Sequence, residues 1–203
     1  MASGEVPAVR TTRSNAPLYW GVIVTVVLLD VVTKWLAVRH LSDYFGHVRV
    51  LGDGLRLTLV YNPGAAFGLH LGPHSRWIFL ALTTLVLVAL WRLYRETRDR
   101  DNLRTASLAL VCGGAVGNAI DRVRSVDGVV DFIDVGIGER RWPTFNVADM
   151  AVSGGAFLLA WVLWREEREA EEAERRTAAL RADAVPAAGD ALPTTSADPR
   201  DVA

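Results

Sequence analysis

Apolar residues gather into four long runs separated by polar stretches, and that alternation sets the architecture. The runs are roughly 18–38, 77–94, 105–120 and 147–164. Crossing the hydrocarbon of a bilayer takes about 20 helical residues, so each is read as a membrane span, the third somewhat short. Between the first two spans the period changes. In LRLTLVYN, residues 55–62, Leu55, Leu57 and Leu59 alternate with Arg56 and Thr58, the period-two signature of a strand. Gly52-Asp53-Gly54 precedes it as a turn, VRVL (48–51) can pair with it, and VVDFIDV (129–135) can add a further strand. The expected fold class is an all-α membrane protein of four transmembrane helices with a small extracytoplasmic β-sheet and a surface lid segment.

Three regions follow. Residues 1–16 are expected to be a disordered cytoplasmic N-terminus, 17–165 a four-span domain, and 166–203 a charged helix extension with a disordered cytoplasmic tail. The first span is too long for a signal-peptide core and contains Asp30 and Lys34, so it is read as permanent. Arginine placement orients the bundle. The link RLYRETRDRDNLR (92–104), the tail beginning REEREAEEAERR and the N-terminal Arg10 and Arg13 belong together on the cytoplasmic side.

Composition changes this picture in three places. The net charge of -1 and pI near 6.4 give no basic face for nucleic acid. One cysteine, Cys112, allows no internal disulfide and lies in an apolar run, where a buried inert thiol is expected. Lys34 is the only lysine, which draws attention to it.

The intramembrane polar residues are the chemical signal. At 1.5 Å per residue, Asp30 and Lys34 lie ~18 and ~24 Å along the outward-running first span, and Asn118 and Asp121 ~20 to 24 Å along the third. Asn146 and Asp149 stand where the fourth span begins. Each pair is spaced i, i+3 or i, i+4, and all three fall in the outer third of the bilayer. Ionisable groups at such depth are costly and mark functional sites. Gly113 and Gly117, four apart in the third span, allow a neighbouring helix close to Asn118 and Asp121.

Several chemistries are excluded or disfavoured. No H-E-x-x-H or G-x-S-x-G occurs, no serine lies near Lys34, and His70 and His74 sit in a Gly/Pro-bounded loop. No metal or other cofactor is expected. Carboxyls are plentiful at the right depth, and two that share a site split their proton affinities: one stays protonated while the other acts as base. An aspartyl hydrolase, a proton-coupled carrier using Asp30, Lys34, Asp121 and Asp149, and a structural scaffold all remain open on this ground alone. Apolar inner halves of spans two and four favour a one-sided site over a carrier.

Five blocks in order narrow the choice: DVVTK (30–34), YNPGAAFG (61–68), GGAVGNAIDR (113–122), VVDFID (129–134) and FNVAD (145–149). Together they resemble the lipoprotein signal peptidases, or signal peptidase II, over residues 18–165. The resemblance implies a bacterial inner-membrane aspartyl endopeptidase with its active site at the extracytoplasmic face, cutting diacylglyceryl-modified prolipoproteins before the lipidated cysteine. It implies Asp131 and Asp149 as the catalytic pair. Asn62, Asn118, Asn146 and Arg122 are then expected to orient the carboxyls or hold the substrate backbone, Asp30 and Lys34 to support them, and Asp121 to tie down the third span. Asp127, before Gly128, is expected to make a turn, and Asp134 to be structural. Phe67 and Leu69 are expected in a lid. The partners this resemblance implies are the prolipoprotein substrate and membrane lipid, and the enzyme is expected to act as a monomer.

Overall fold

A computed structural model describes residues 14–43, 46–64 and 72–184. Phe67, Leu69, His70 and most of both tails therefore lie outside the described residues. Among the described residues, four helices are long and apolar enough to cross a membrane. They are α1 (Ala16–Leu41), α2 (Ser75–Arg95), α3 (Asn102–Arg124) and α4 (Val147–Ala184). Their large apolar side chains face outward in numbers that water would not tolerate; Leu28, Leu29, Trp35, Leu85, Val86 and Phe157 are all exposed. That surface is the lipid-facing one. Hydroxyls within it bond their own helix, Thr25 donating to the carbonyl of Gly21 at 2.8 Å and Thr33 to that of Leu29 at 2.7 Å, so neither hydroxyl is left to hydrocarbon.

The short third run is the buried helix. α3 needs less hydropathy than its neighbours because protein, not lipid, covers it: Leu108, Ala109, Cys112, Gly113, Gly114 and Gly117 are buried. A β-carbon at Gly113 would meet Val26 of α1 at 2.9 Å, one at Gly117 would meet the Asp30 carboxylate at 2.6 Å, and one at Gly114 would collide with the Ala148 carbonyl of α4. The glycines thus let α1 and α4 approach α3 at backbone distance. At the opposite end of the bundle from Asp30, the buried ring of Tyr19 stacks on Tyr94 of α2 at 3.7 Å and its hydroxyl donates to the Cys112 sulfur at 3.3 Å. Asn15 clamps the α2–α3 link there, donating to the Arg98 carbonyl and accepting from the Arg100 amide.

The sheet is antiparallel, in the order β1 (Val48–Leu51), β2 (Leu55–Asn62), β3 (Val129–Ile137) and β4 (Arg140–Arg141). The β1–β2 hairpin and the third strand match the sequence expectation; the short β4 was not foreseen. Nor was the irregularity in β2, where Leu57 opposes Ile133 but Val60 opposes Asp131. The extra residue shifts the alternation so that Val60 and Asn62, rather than Leu59 and Tyr61, share the face of Asp131. Phe132 packs with Ala37 and Leu41 of α1, with Leu57 and Leu59 beside them, seating the sheet on the end of α1.

The chain divides into two compact units, Met1–Val162 and Leu163–Ala203. The helical part of the second is exposed and charged, with an Arg165–Glu169 ion pair at 3.3 Å and the Arg168 guanidinium 4.9 Å from the Trp164 ring.

Candidate active site

The site forms where β3 and the first turn of α4 are laced together. After β4 the chain folds back along β3: the Phe145 carbonyl accepts from the amides of Phe132 and Ile133, and the Phe145 amide donates to the Ile133 carbonyl at 3.0 Å. The next residue, Asn146, caps α4. Its side-chain oxygen accepts the Asp149 amide at 2.9 Å, and the Asp149 carboxylate accepts the Asn146 amide at 3.1 Å. This is a reciprocal capping box. Asn146 and Asp149 are therefore not two rungs on one helix face, as their spacing suggested, but a cap and its third residue. Asp149 is fixed by the start of its own helix.

Three asparagines converge on the two carboxyls, and each amide is turned by a partner that can only donate. Lys34 Nζ lies 2.9 Å from Asn118 Oδ1, so Asn118 Nδ2 faces Asp149 Oδ1 at 2.8 Å. The Gly64 amide occupies Asn62 Oδ1, so Asn62 Nδ2 faces Asp131 Oδ2 at 3.1 Å. The Asp149 amide occupies Asn146 Oδ1, so Asn146 Nδ2 faces Asp131 Oδ1 at 2.7 Å. Asn146 is wholly buried and thus touches both carboxyl-bearing residues. Its Nδ2 also lies 3.1 Å from Asn118 Oδ1, linking the contributions of α3 and α4.

Behind this layer stands an ionic one. Lys34 pairs with Asp30 at 2.7 Å and with Asp121 at 2.9 Å. Asp30 accepts the Ala148 amide of α4 at 2.9 Å, and Asp121 the Val130 amide of β3 at 3.2 Å. Arg122 donates to the carbonyls of Asn118 and Gly64 and lies 5.8 Å from the Phe79 ring. The structure thus gathers every site residue expected from the sequence into one network. The other aspartates stand apart. Asp134 is held by Arg141 and by the Thr58 hydroxyl, and Asp127 lies in the bend before Gly128.

A cavity of about 750 Å³ opens onto the carboxyls. Asn62, Asn118, Arg122, Asp131 and Asp149 form its polar wall; Val60, Tyr61, Val129, Phe145, Met150 and Trp142 make the rest largely apolar. These apolar residues carried no legible signal, since a valine or tryptophan lining a cleft reads like any other. The Asp131 pKa is raised from 3.8 to about 6, first by burial and then by the negative charge of Asp149. The hydrogen bonds from Asn62 and Asn146 and the charge of Lys34 oppose it. Asp131 can accordingly hold or release a proton near neutrality.

Comparison with known proteins gives consistent results. A family model described as signal peptidase (SPase) II matches residues 22–165. The chain is 39% identical over 155 residues to a lipoprotein signal peptidase of Pelotomaculum thermopropionicum, covering 76% of this chain and 97% of the relative. It is 42% identical over 160 residues to one from Cupriavidus necator, covering 75% and 88%. A solved bacterial membrane enzyme superposes with a TM-score of 0.65 at 30% identity, covering 73% of this chain and 88% of the other; a second gives 0.62 at 32%, covering 71% and 91%.

Proposed function

The chain belongs to the signal peptidase II family, and from that premise we propose that Asp131 and Asp149 are the pair that performs its reaction. The protein is a membrane aspartic endopeptidase that removes signal peptides from prolipoproteins. The observation that carries the assignment is that two carboxyls from separate elements meet through one buried asparagine, Asn146, at the wall of a largely apolar cavity.

The pair carries one proton between turnovers. The ionised carboxylate takes a proton from water, whose oxygen attacks the scissile carbonyl carbon. The protonated carboxyl gives its proton to the carbonyl oxygen, producing a gem-diol. On collapse, the carboxyl that took the water proton delivers it to the leaving nitrogen as the C–N bond breaks. The other recovers a proton from the diol, and the pair returns to its starting state. Because the two titrate as a unit, no fixed acid and base are assigned. Asn62, Asn118 and Asn146 hold the carboxyls at the angle this exchange needs. Arg122 faces the cavity bonded only to carbonyls among its described hydrogen bonds, and its charge suits it to steady the substrate backbone or the developing oxygen charge.

The arginine-rich 92–104 link supports cytoplasmic termini, with the pair at the extracytoplasmic face. The substrate is the diacylglyceryl form, cut before its lipidated cysteine, with its acyl chains in the surrounding lipid and the enzyme acting as a monomer. The test uses purified full chain in detergent with a diacylglyceryl prolipoprotein, following release of the signal peptide on a gel. Folded Asp131→Asn and Asp149→Asn are expected to be inactive and Asp121→Asn to retain turnover. Inactive Asp121→Asn beside active Asp131→Asn would move the pair.

A further inference from the structure

Lys34 is bonded to three other side chains of the site, and the proposed chemistry does not use it. It is 4% exposed, and Asp30, its neighbour one turn earlier, is fully buried. An ammonium has three N–H donors, and all three are spent on different arms: Asp30 at 2.7 Å, Asp121 at 2.9 Å and Asn118 at 2.9 Å. Each arm ends at the catalytic pair or one residue from it. Asp30 holds the amide of Ala148, adjacent to Asp149. Asp121 holds the amide of Val130, adjacent to Asp131. Asn118 donates to Asp149 itself. Cancelling the Asp30 charge alone would need one contact, not three. Nor would it need contacts that diverge to β3, α3 and α4.

We infer that Lys34 is a positioning residue that sets the separation of the two catalytic carboxyls and, through its charge, the pH range in which the pair holds one proton. The inference rests on Asp131 and Asp149 being that pair. The charged groups around Asp131 are Asp149 from α4, Lys34 and Asp30 from α1, and Asp121 and Arg122 from α3; β2 contributes the neutral Asn62. Of the two cations, Lys34 is the one whose hydrogen bonds reach both carboxyl-bearing segments through single intermediaries. Its positive charge favours the ionised form of Asp131. Removing it should move the whole bell of activity against pH upward.

The experiment compares full-length wild type, Lys34→Met, and the double variant Asp30→Asn with Lys34→Met, in detergent with a diacylglyceryl prolipoprotein across pH 5 to 9. Methionine approximates the length and volume without charge or donors. The double variant removes the carboxylate that Lys34→Met leaves buried and unpaired. The introduced amide oxygen can still accept the Ala148 amide, so the double variant serves if the single one fails to fold. The expected result is a fall in kcat of at least about tenfold with KM little changed, and both limbs displaced upward by about one pH unit for the single variant. The double variant, which loses one charge of each sign, should move less. Unmoved limbs with only a lower amplitude would reduce Lys34 to a structural residue and overturn the inference, as would failure of both variants to fold. Asp131→Asn and Asp149→Asn run as controls. Turnover in either sinks the pair, and the inference with it; inactive controls beside unmoved limbs sink the inference alone.

Discussion

Replacing Asp131 with asparagine should make the folded protein more stable at neutral pH while abolishing its activity. The carboxyl is 3% exposed, and its pKa stands near 6 against an ordinary 3.8, first through burial and then through the charge of Asp149. A group whose proton is held more tightly in the folded state contributes stability that is fully present below the unfolded value. That contribution is lost as pH rises through the folded one. Here the window runs from pH 3.8 to about 6. Two pKa units at 1.36 kcal/mol each amount to a cost of about 3 kcal/mol at pH 7, as an upper bound. Asparagine removes that cost. It returns about 1 kcal/mol because its NH2 must face one of the two donors, Asn62 Nδ2 or Asn146 Nδ2. Thermal unfolding of wild type and Asp131→Asn in the same detergent, from pH 4 to 8, reads the difference; the other carboxyls cancel. The variant should gain on wild type between pH 4 and 6 and hold its advantage above. A difference that is flat across that window, or that shrinks as pH rises, would refute the account of Asp131 as a strained, buried acid.

In an Asp149→Asn background the same pH-dependent gain should be smaller, because the second cause of the raised proton affinity is gone; an unchanged gain would mean the two carboxyls do not sense each other. Asn146→Ser keeps a capping oxygen but loses the donor to Asp131, whereas Asn146→Ala loses both. Serine should therefore cost activity with about 1 kcal/mol less loss of stability than alanine, and equal stability for the two would contradict the capping role. Gly128 has φ +104° and a β-carbon there would strike the Asn62 carbonyl. Gly128→Ala should destabilise by about 1–3 kcal/mol and reduce turnover by displacing Asn62; wild-type melting and activity would show that the β2–β3 junction does not need glycine.

The spans were legible because lipid imposes a simple demand, a run of apolar residues long enough to cross. The one misjudged in length, α3, is the helix that demand touches least, since protein covers it. The supporting polar residues were legible for the opposite reason: Asp30, Lys34, Asn118 and Asp121 stand out against an apolar background. Asp131 did not stand out by depth, being on a strand beyond the spans, and only the resemblance of VVDFID separated it from Asp127 and Asp134. The irregularity that turns Asn62 toward it leaves no mark in LRLTLVYN, where perfect alternation predicts the other face. The capping box was hidden in plain spacing, since i, i+3 describes a helix face and a cap equally well. Which way each asparagine amide points depends on donors distant in sequence, such as Lys34, and no local pattern contains that.

The lacing of β3 to the first turn of α4 also has a consequence for biosynthesis. A chain emerging from the ribosome presents Asp131 before Asp149, but the second carboxyl, the Asn146 side-chain amide and the backbone amides that donate to Asp30 and to Asp149 all arrive with the final span. A three-span intermediate holds only the first acid of the proposed pair, with Asn62 but not Asn146 to donate to it. If Asp131 and Asp149 are the pair, the order of the elements along the chain delays proteolytic competence to the last act of insertion.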